Sequence, residues 1–200
     1  MYPTLVWDIP ATEKVLYLTF DDGPHLTATP FVLNQLQQYN AKATFFCIGN
    51  NVVKHPEIYG KLLAEGHATG NHTHNHVNGW KTTNSQYIEN VQAAAEHVNS
   101  KLFRPPYGRI SKLQAKMLQQ NPGFNFSVVM WNVLSGDFDT ALSPEGCLKN
   151  VLENAKPGSI IVFHDSEKAY ERMSYALPRL LEYYSNQGYT FRPITLKKEG

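Results

Sequence analysis

The chain has 200 residues and 22.6 kDa; at about 150 residues per domain this predicts one domain over 1–200 with a real core and leaves no room for a large second module. Apolar residues make up 42% and charged residues 18%, with 13 Gly and 12 Pro, a composition that excludes disordered and collagen-like chains. Eighteen Lys and Arg against seventeen Asp and Glu leave a net charge of +1, with no basic run before the short Lys197-Lys198 pair, so a nucleic-acid partner is not expected.

The first clear element is Val15-Leu16-Tyr17-Leu18-Thr19-Phe20, an apolar, β-rich run that stops at the turn residues Asp21-Asp22-Gly23-Pro24. Thr29 before Pro30 predicts a helix N-cap with proline in the first turn, and Val32, Leu33, Leu36 and Tyr39 follow at helical spacing. The beat repeats as a strand over 43–48, a helix over 57–65, a short strand over 67–71 and a helix over 85–100. The last of these carries Ile88, Val91, Ala95 and Val98 on one face. Leu102-Phe103 then enters Arg104-Pro105-Pro106-Tyr107-Gly108, with a helix over 111–120 and a strand over 126–131 beyond it. Ser143-Pro144-Glu145 opens a helix over 143–155, 159–163 reads as strand, a helix over 171–185 turns Leu177, Leu180, Leu181 and Tyr184 inward, and 189–194 closes the series as a strand. About seven strands alternating with helices predict an α/β fold of parallel βαβ units, an open doubly wound sheet or a barrel, and that number favours the barrel.

Cys47 and Cys147 are far apart and lack the spacing of a zinc knuckle or redox pair, so both read as small buried hydrophobes. The longest apolar runs, such as Ile160-Ile161-Val162-Phe163, are strand-sized, far below the roughly 20 residues that span a bilayer; no membrane span is expected. The opening residues show neither a basic n-region nor an apolar h-region. The compartment is therefore left open, cytoplasmic by default and secreted or periplasmic if the chain is trimmed.

In a parallel βα fold, function collects at the carboxyl ends of the strands. Asp21-Asp22 follows the first predicted strand, His72-Thr73-His74-Asn75-His76 the third, Arg104 the fourth, Asp137 the fifth and His164-Asp165 the sixth. Imidazoles and carboxylates together suit zinc. His72 and His76 share a face if the segment is helical, whereas an extended segment aligns all three histidines; periodicity leaves both open. Asp-Asp-Gly-Pro is equally good turn chemistry. His25, His55, His67 and His97 read as structural, and no sugar-stacking role is assigned to Trp7, Trp80 or Trp131, since large aromatics are more often core.

Thr19-Phe20-Asp21-Asp22-Gly23, His72-Thr73-His74-Asn75-His76, Arg104-Pro105-Pro106-Tyr107-Gly108, the 131–139 segment and Val162-Phe163-His164-Asp165 resemble the five ordered motifs of polysaccharide deacetylases, carbohydrate esterase family four. The resemblance covers about residues 14–194 and implies a distorted (β/α) barrel with fewer than eight units. It implies that Asp22, His72 and His76 bind a divalent metal, zinc first with cobalt or nickel also suited, and that Asp21 is the general base paired with Arg104. By the same resemblance the Tyr107 backbone N–H holds the oxyanion, and His164 is the general acid whose charge is supported by Asp137. Phe138 stands where the family usually has Trp, and with Val162 it would line the acetyl pocket. The implied reaction is metal-dependent hydrolysis of N-acetyl groups from N-acetylglucosamine units of a glycan. The alternatives are hydrolysis of another acyl bond, such as an O-acetyl ester, and a non-catalytic carbohydrate-binding domain.

Overall fold

The computed structural model describes residues 4–195, so Lys197-Lys198 and the first three residues lie outside it. In chain order the elements are β1 (Leu5–Val6), β2 (Val15–Asp21), α1 (Ala28–Gln38), β3 (Thr44–Cys47), α2 (Gly49–Lys54), α3 (Pro56–Ala64), β4 (Ala68–Asn71), α4 (Asn84–Ala95) and β5 (Leu102–Phe103). After a 3-10 turn (Pro106–Gly108) follow α5 (Lys112–Gln120), β6 (Ser127–Val129), β7 (Val133–Leu134), α6 (Pro144–Asn154), β8 (Ile160–His164), α7 (Tyr170–Asn186) and β9 (Thr190–Phe191). The strands run β1-β6-β5-β4-β3-β2-β8-β7, every pairing along this path parallel, and β9 adds to the start of β2.

Phe46 of β3, Leu102 of β5, Val129 of β6 and Ile160 of β8 pack into one cluster, although β6 and β8 are far apart along the strand path. Such contact across the concave side requires the sheet to curl around an interior. The curl stops short of a closed parallel ladder between β1 and β7, and a single antiparallel bridge, Asp8 with Ser159, lies near the gap. The architecture is thus a distorted (β/α) barrel. Two further clusters join the outer sheet face to the helices: β2, β3 and β8 against α1, α6 and α7, and β5 and β6 against α4 and α5.

The period-2 parity of the strands decides which side chains face the interior. Leu16, Leu18 and Phe20 of β2 and Ile161 and Phe163 of β8 join the helix-facing core, so Thr19 and Asp21, and Val162 and His164, fall on the other face. Parallel register then sets Asp21 directly opposite His164.

Several sequence expectations shift. The N-cap of α1 is Thr27 rather than Thr29; Thr29 is buried and its hydroxyl donates to Asp165. The helix expected to reach residue 100 ends at Ala95, and Val98 stays buried through a turn whose N–H donates to the Ala94 carbonyl. That turn mimics the helical period. The strand over 126–131 is cut to Ser127–Val129 because the carbonyls of Val129 and Met130 accept from the Arg104 side chain. The two-residue strands β1 and β7 and the single-turn α2 are too short to leave a periodic trace.

Candidate active site

The polar rim lies where the strand ends meet. Of the six non-glycine residues with positive φ among those described, Asp22 (81°), Thr73 (63°), His76 (53°) and Tyr107 (60°) belong to its loops. Backbone held in this region carries a cost that the surrounding structure must hold in place, and such residues gather at functional sites. Asp22 lies one residue past β2 with a left-handed backbone. His72 Nε2 lies 4.0 Å from Asp21 Oδ2 and 3.7 Å from Asp22 Oδ1.

The 72–76 segment is neither helix nor strand. Asn71 pins it, its amide donating to the Val91 carbonyl while its Oδ1 accepts from Thr73 N–H. His72 Nδ1 donates to the Arg104 carbonyl at 2.8 Å, which leaves Nε2 facing the site. His76 has Nδ1 3.1 Å from the Tyr107 hydroxyl and Nε2 3.2 Å from Asp22 Oδ1. His74 turns away and stacks near His97, with ring centroids 5.8 Å apart. Ligand atoms of Asp22, His72 and His76 all lie within 4.8 Å of one another, and Asp22 Oδ1 is buried with no hydrogen-bond partner. Burial is the main reason the His72 imidazole is lowered to about 4, keeping it neutral with a free lone pair. Burial would raise the Asp22 carboxyl, but the imidazoles of His76, His164 and His72 around it outweigh that and hold it below the usual range. Two imidazoles and one carboxylate whose Oδ1 is buried without a hydrogen-bond partner fit a divalent cation.

Arg104 is fully buried. Its guanidinium donates to Asp21 Oδ1 (2.8 Å), Thr19 Oγ1 (2.7 Å) and the carbonyls of Val129 and Met130, with Phe46 beneath its plane at 4.1 Å. His164, on the strand adjacent to that of Asp21, is gripped twice by Asp137. One carboxylate oxygen lies 2.7 Å from the ring Nδ1 and the other accepts from the backbone N–H, also at 2.7 Å. Desolvation opposes a charged His164, yet Asp137 in contact, with Asp22 and Asp21 nearby, raises it to about 9. Asp139 is exposed and only closes a turn by accepting from Ala141 N–H. Asp21, Asp22, His72, His76 and His164 open onto a cleft of about 770 Å³, where Tyr107, Trp131, Leu134, Phe138 and Val162 supply the apolar lining. The Phe138 ring stands edge-on to His164 with centroids 5.3 Å apart.

Sequence reasoning missed three supports. Buried Arg172 donates to the Asp137 carbonyl at 2.7 Å; its spacing with Ala176 and Leu180, on the inward face of α7, is the trace that would have found it. Asp165 accepts from Gly23 N–H at 3.0 Å and from Thr29 Oγ1, tying the loop after β2 to the end of β8. Trp131 forms part of the cleft wall, which its composition alone did not disclose.

A sequence profile described as polysaccharide deacetylase matches residues 8–123. The chain is 36% identical over 189 residues to a peptidoglycan-N-acetylglucosamine deacetylase of Bacillus cereus, covering 91% of this chain and 67% of that protein. It is 35% identical over 164 residues to a chitooligosaccharide deacetylase of Azorhizobium caulinodans, covering 78% of this chain and 76% of that one. A crystal structure of the Bc1960 peptidoglycan N-acetylglucosamine deacetylase with a substituted N-hydroxybenzamide superposes with a TM-score of 0.88 at 34% identity, covering 96% of this chain and 91% of that one.

Proposed function

Because the chain belongs to the polysaccharide deacetylase family, we propose that it hydrolyses the N-acetyl group of N-acetylglucosamine units in a glycan of chitooligosaccharide or peptidoglycan type, releasing acetate and the free amine. The observation that carries this reading is that one cleft is lined by Asp21, Asp22, His72, His76 and His164, the last held by buried Asp137. A divalent cation held by Asp22, His72 and His76 supplies Lewis-acid polarisation of the acyl oxygen and a more acidic water. The His, His, Asp donor set suits zinc, and cobalt and nickel take the same ligands.

Asp21 is the general base: Arg104 fixes its Oδ1, leaving Oδ2 to take the proton as water attacks the acyl carbon. Tyr107, a cleft-lining residue with a left-handed backbone, would offer its N–H as a fixed donor for the oxyanion. His164, protonated at neutral pH and held through Nδ1, gives its Nε2 proton to the leaving nitrogen as the C–N bond breaks. Phe138 and Val162 bound the space for the acetyl methyl.

The test is acetate release from N-acetylchitopentaose by the protein as isolated, after chelator treatment, and after return of zinc, cobalt or nickel. Activity is expected to vanish with chelator and return with metal. Metal bound stoichiometrically without acetate release would move the substrate to another acyl bond, and failure to bind metal would leave a carbohydrate-binding domain.

A second expected outcome concerns pH. With His164 raised to about 9 from an ordinary 6.5, the acid form persists up to that pH and is lost as pH rises through it. The alkaline limb of kcat/KM belongs to this group in the proposed mechanism. In Asp137→Asn the imidazolium loses its main support, so the limb should move to lower pH, toward the ordinary histidine value. A limb that stays in place in the variant would remove His164 from the acid role.

A further inference from the structure

Two residues of the cleft's apolar rim, Tyr107 and Phe138, also line a neighbouring hollow. It has a volume of about 550 Å³ and is lined by those two residues together with Asn78, Lys81 and Arg109. Its only charged lining groups are the two cations. Among the described residues, neither Lys81 nor Arg109 forms an ion pair with a carboxylate, and both are exposed.

These cations sit on anchored backbone. Gly79 N–H donates to the Arg109 carbonyl at 3.2 Å, and the Gln114 amide donates to the Gly79 carbonyl at 2.8 Å, joining the loop before α4 to the segment after the 3-10 turn. The Arg109 guanidinium lies 5.2 Å over the Trp80 ring, whose indole N–H donates to the Ile110 carbonyl at 3.3 Å. A guanidinium placed over an aromatic ring loses less freedom when its fork meets a carboxylate. Trp80 is 66% exposed beside it.

Resting on the deacetylase reading above, we infer that this hollow is an anion subsite, in which Arg109 and Lys81 receive a carboxylate carried by the sugar next to the one being deacetylated. The protein would then discriminate among N-acetylated glycans by the charge of the neighbouring unit. A fork of two N–H groups matches a carboxylate, the adjacent ammonium adds a point charge, and no resident anion has to be displaced. The interaction is partly solvated, so the preference is modest and salt-sensitive.

The test compares three glycans of equal length: neutral chitotetraose, a tetrasaccharide in which alternate N-acetylglucosamine units carry a 3-O-lactyl carboxylate, and the same tetrasaccharide with its carboxyls converted to amides. Metal-loaded protein should show kcat/KM about tenfold higher for the carboxylate form than for its amide at low salt, a ratio that shrinks at high salt. In Lys81→Gln/Arg109→Gln that ratio should fall to about one. Affinities for the same glycans, measured calorimetrically on Asp21→Asn so that turnover is slow, should show the same preference. Equal values for carboxylate and amide in the wild type, or a ratio that survives the double substitution, would overturn the subsite. If chitotetraose is still deacetylated in that case, the functional reading stands; a carboxylate preference in binding with no turnover of any glycan would keep the subsite and overturn the deacetylase reading.

Discussion

Asp21→Asn is expected to lower kcat on N-acetylchitopentaose by about 100- to 10,000-fold, the usual share of a positioned general base, while metal content stays at the wild-type level. The substitution keeps the side chain's shape. The amide oxygen can still accept from Arg104, so the 2.8 Å contact that orients the group has a partner, but the atom that faces His72 can no longer take a proton. Asp22, His72 and His76, whose ligand atoms gather within 4.8 Å, are untouched. His72→Ala should behave differently, losing metal and activity together, because the neutral Nε2 held inward by the Arg104 carbonyl is then gone. Metal analysis beside steady-state kinetics separates the two variants; equal metal content in both would overturn the division between base and ligand.

Arg104→Met is expected to cost about 3–5 kcal/mol of folding stability, the range for removing one partner of a buried ion pair. Arg104 is fully buried, and burial is the main influence that lowers its pKa, with Asp21 working against it; a guanidinium remains charged nonetheless. Its removal leaves the Asp21 carboxylate, 3% exposed, without its cation. It also strips the carbonyls of Val129 and Met130 of a donor. Methionine fills much of the volume, so charge and hydrogen bonds dominate the loss. Adding Asp21→Asn should recover part of the stability, since the unpaired charge disappears, but not all of it, because the two carbonyls stay unpaired. Denaturant unfolding of the two single variants and the double variant gives the coupling; strictly additive effects would show that the pair does not neutralise itself.

Much of this was readable from residue order. The run Val15–Phe20 ending at a double Asp, the Ser143 cap and the α7 stripe all follow from local propensity and period, which a chain carries without its tertiary fold. The alternation of strands and helices determined a parallel α/β architecture, and parallel strands put the Asp, His and Arg clusters at one rim. The resemblance then assigned roles to particular positions. What period could not disclose rests on contacts between distant segments. The 72–76 loop is left-handed at Thr73 and His76, a conformation with no repeat to detect, so its choice between helix and strand had no correct answer in the pattern. Asp137 is separated from Asp139 only by burial and by the double grip on His164. The Arg172, Asp165 and Tyr107 hydroxyl contacts join elements that are remote in sequence. Sequence by itself determined which chemical groups the rim would hold, because strand parity and order are local properties. Only the tertiary structure decided which of their atoms face one another and that Lys81 and Arg109 share a hollow with the cleft residues Tyr107 and Phe138, because side-chain direction in irregular loops is set by long-range packing and hydrogen bonds.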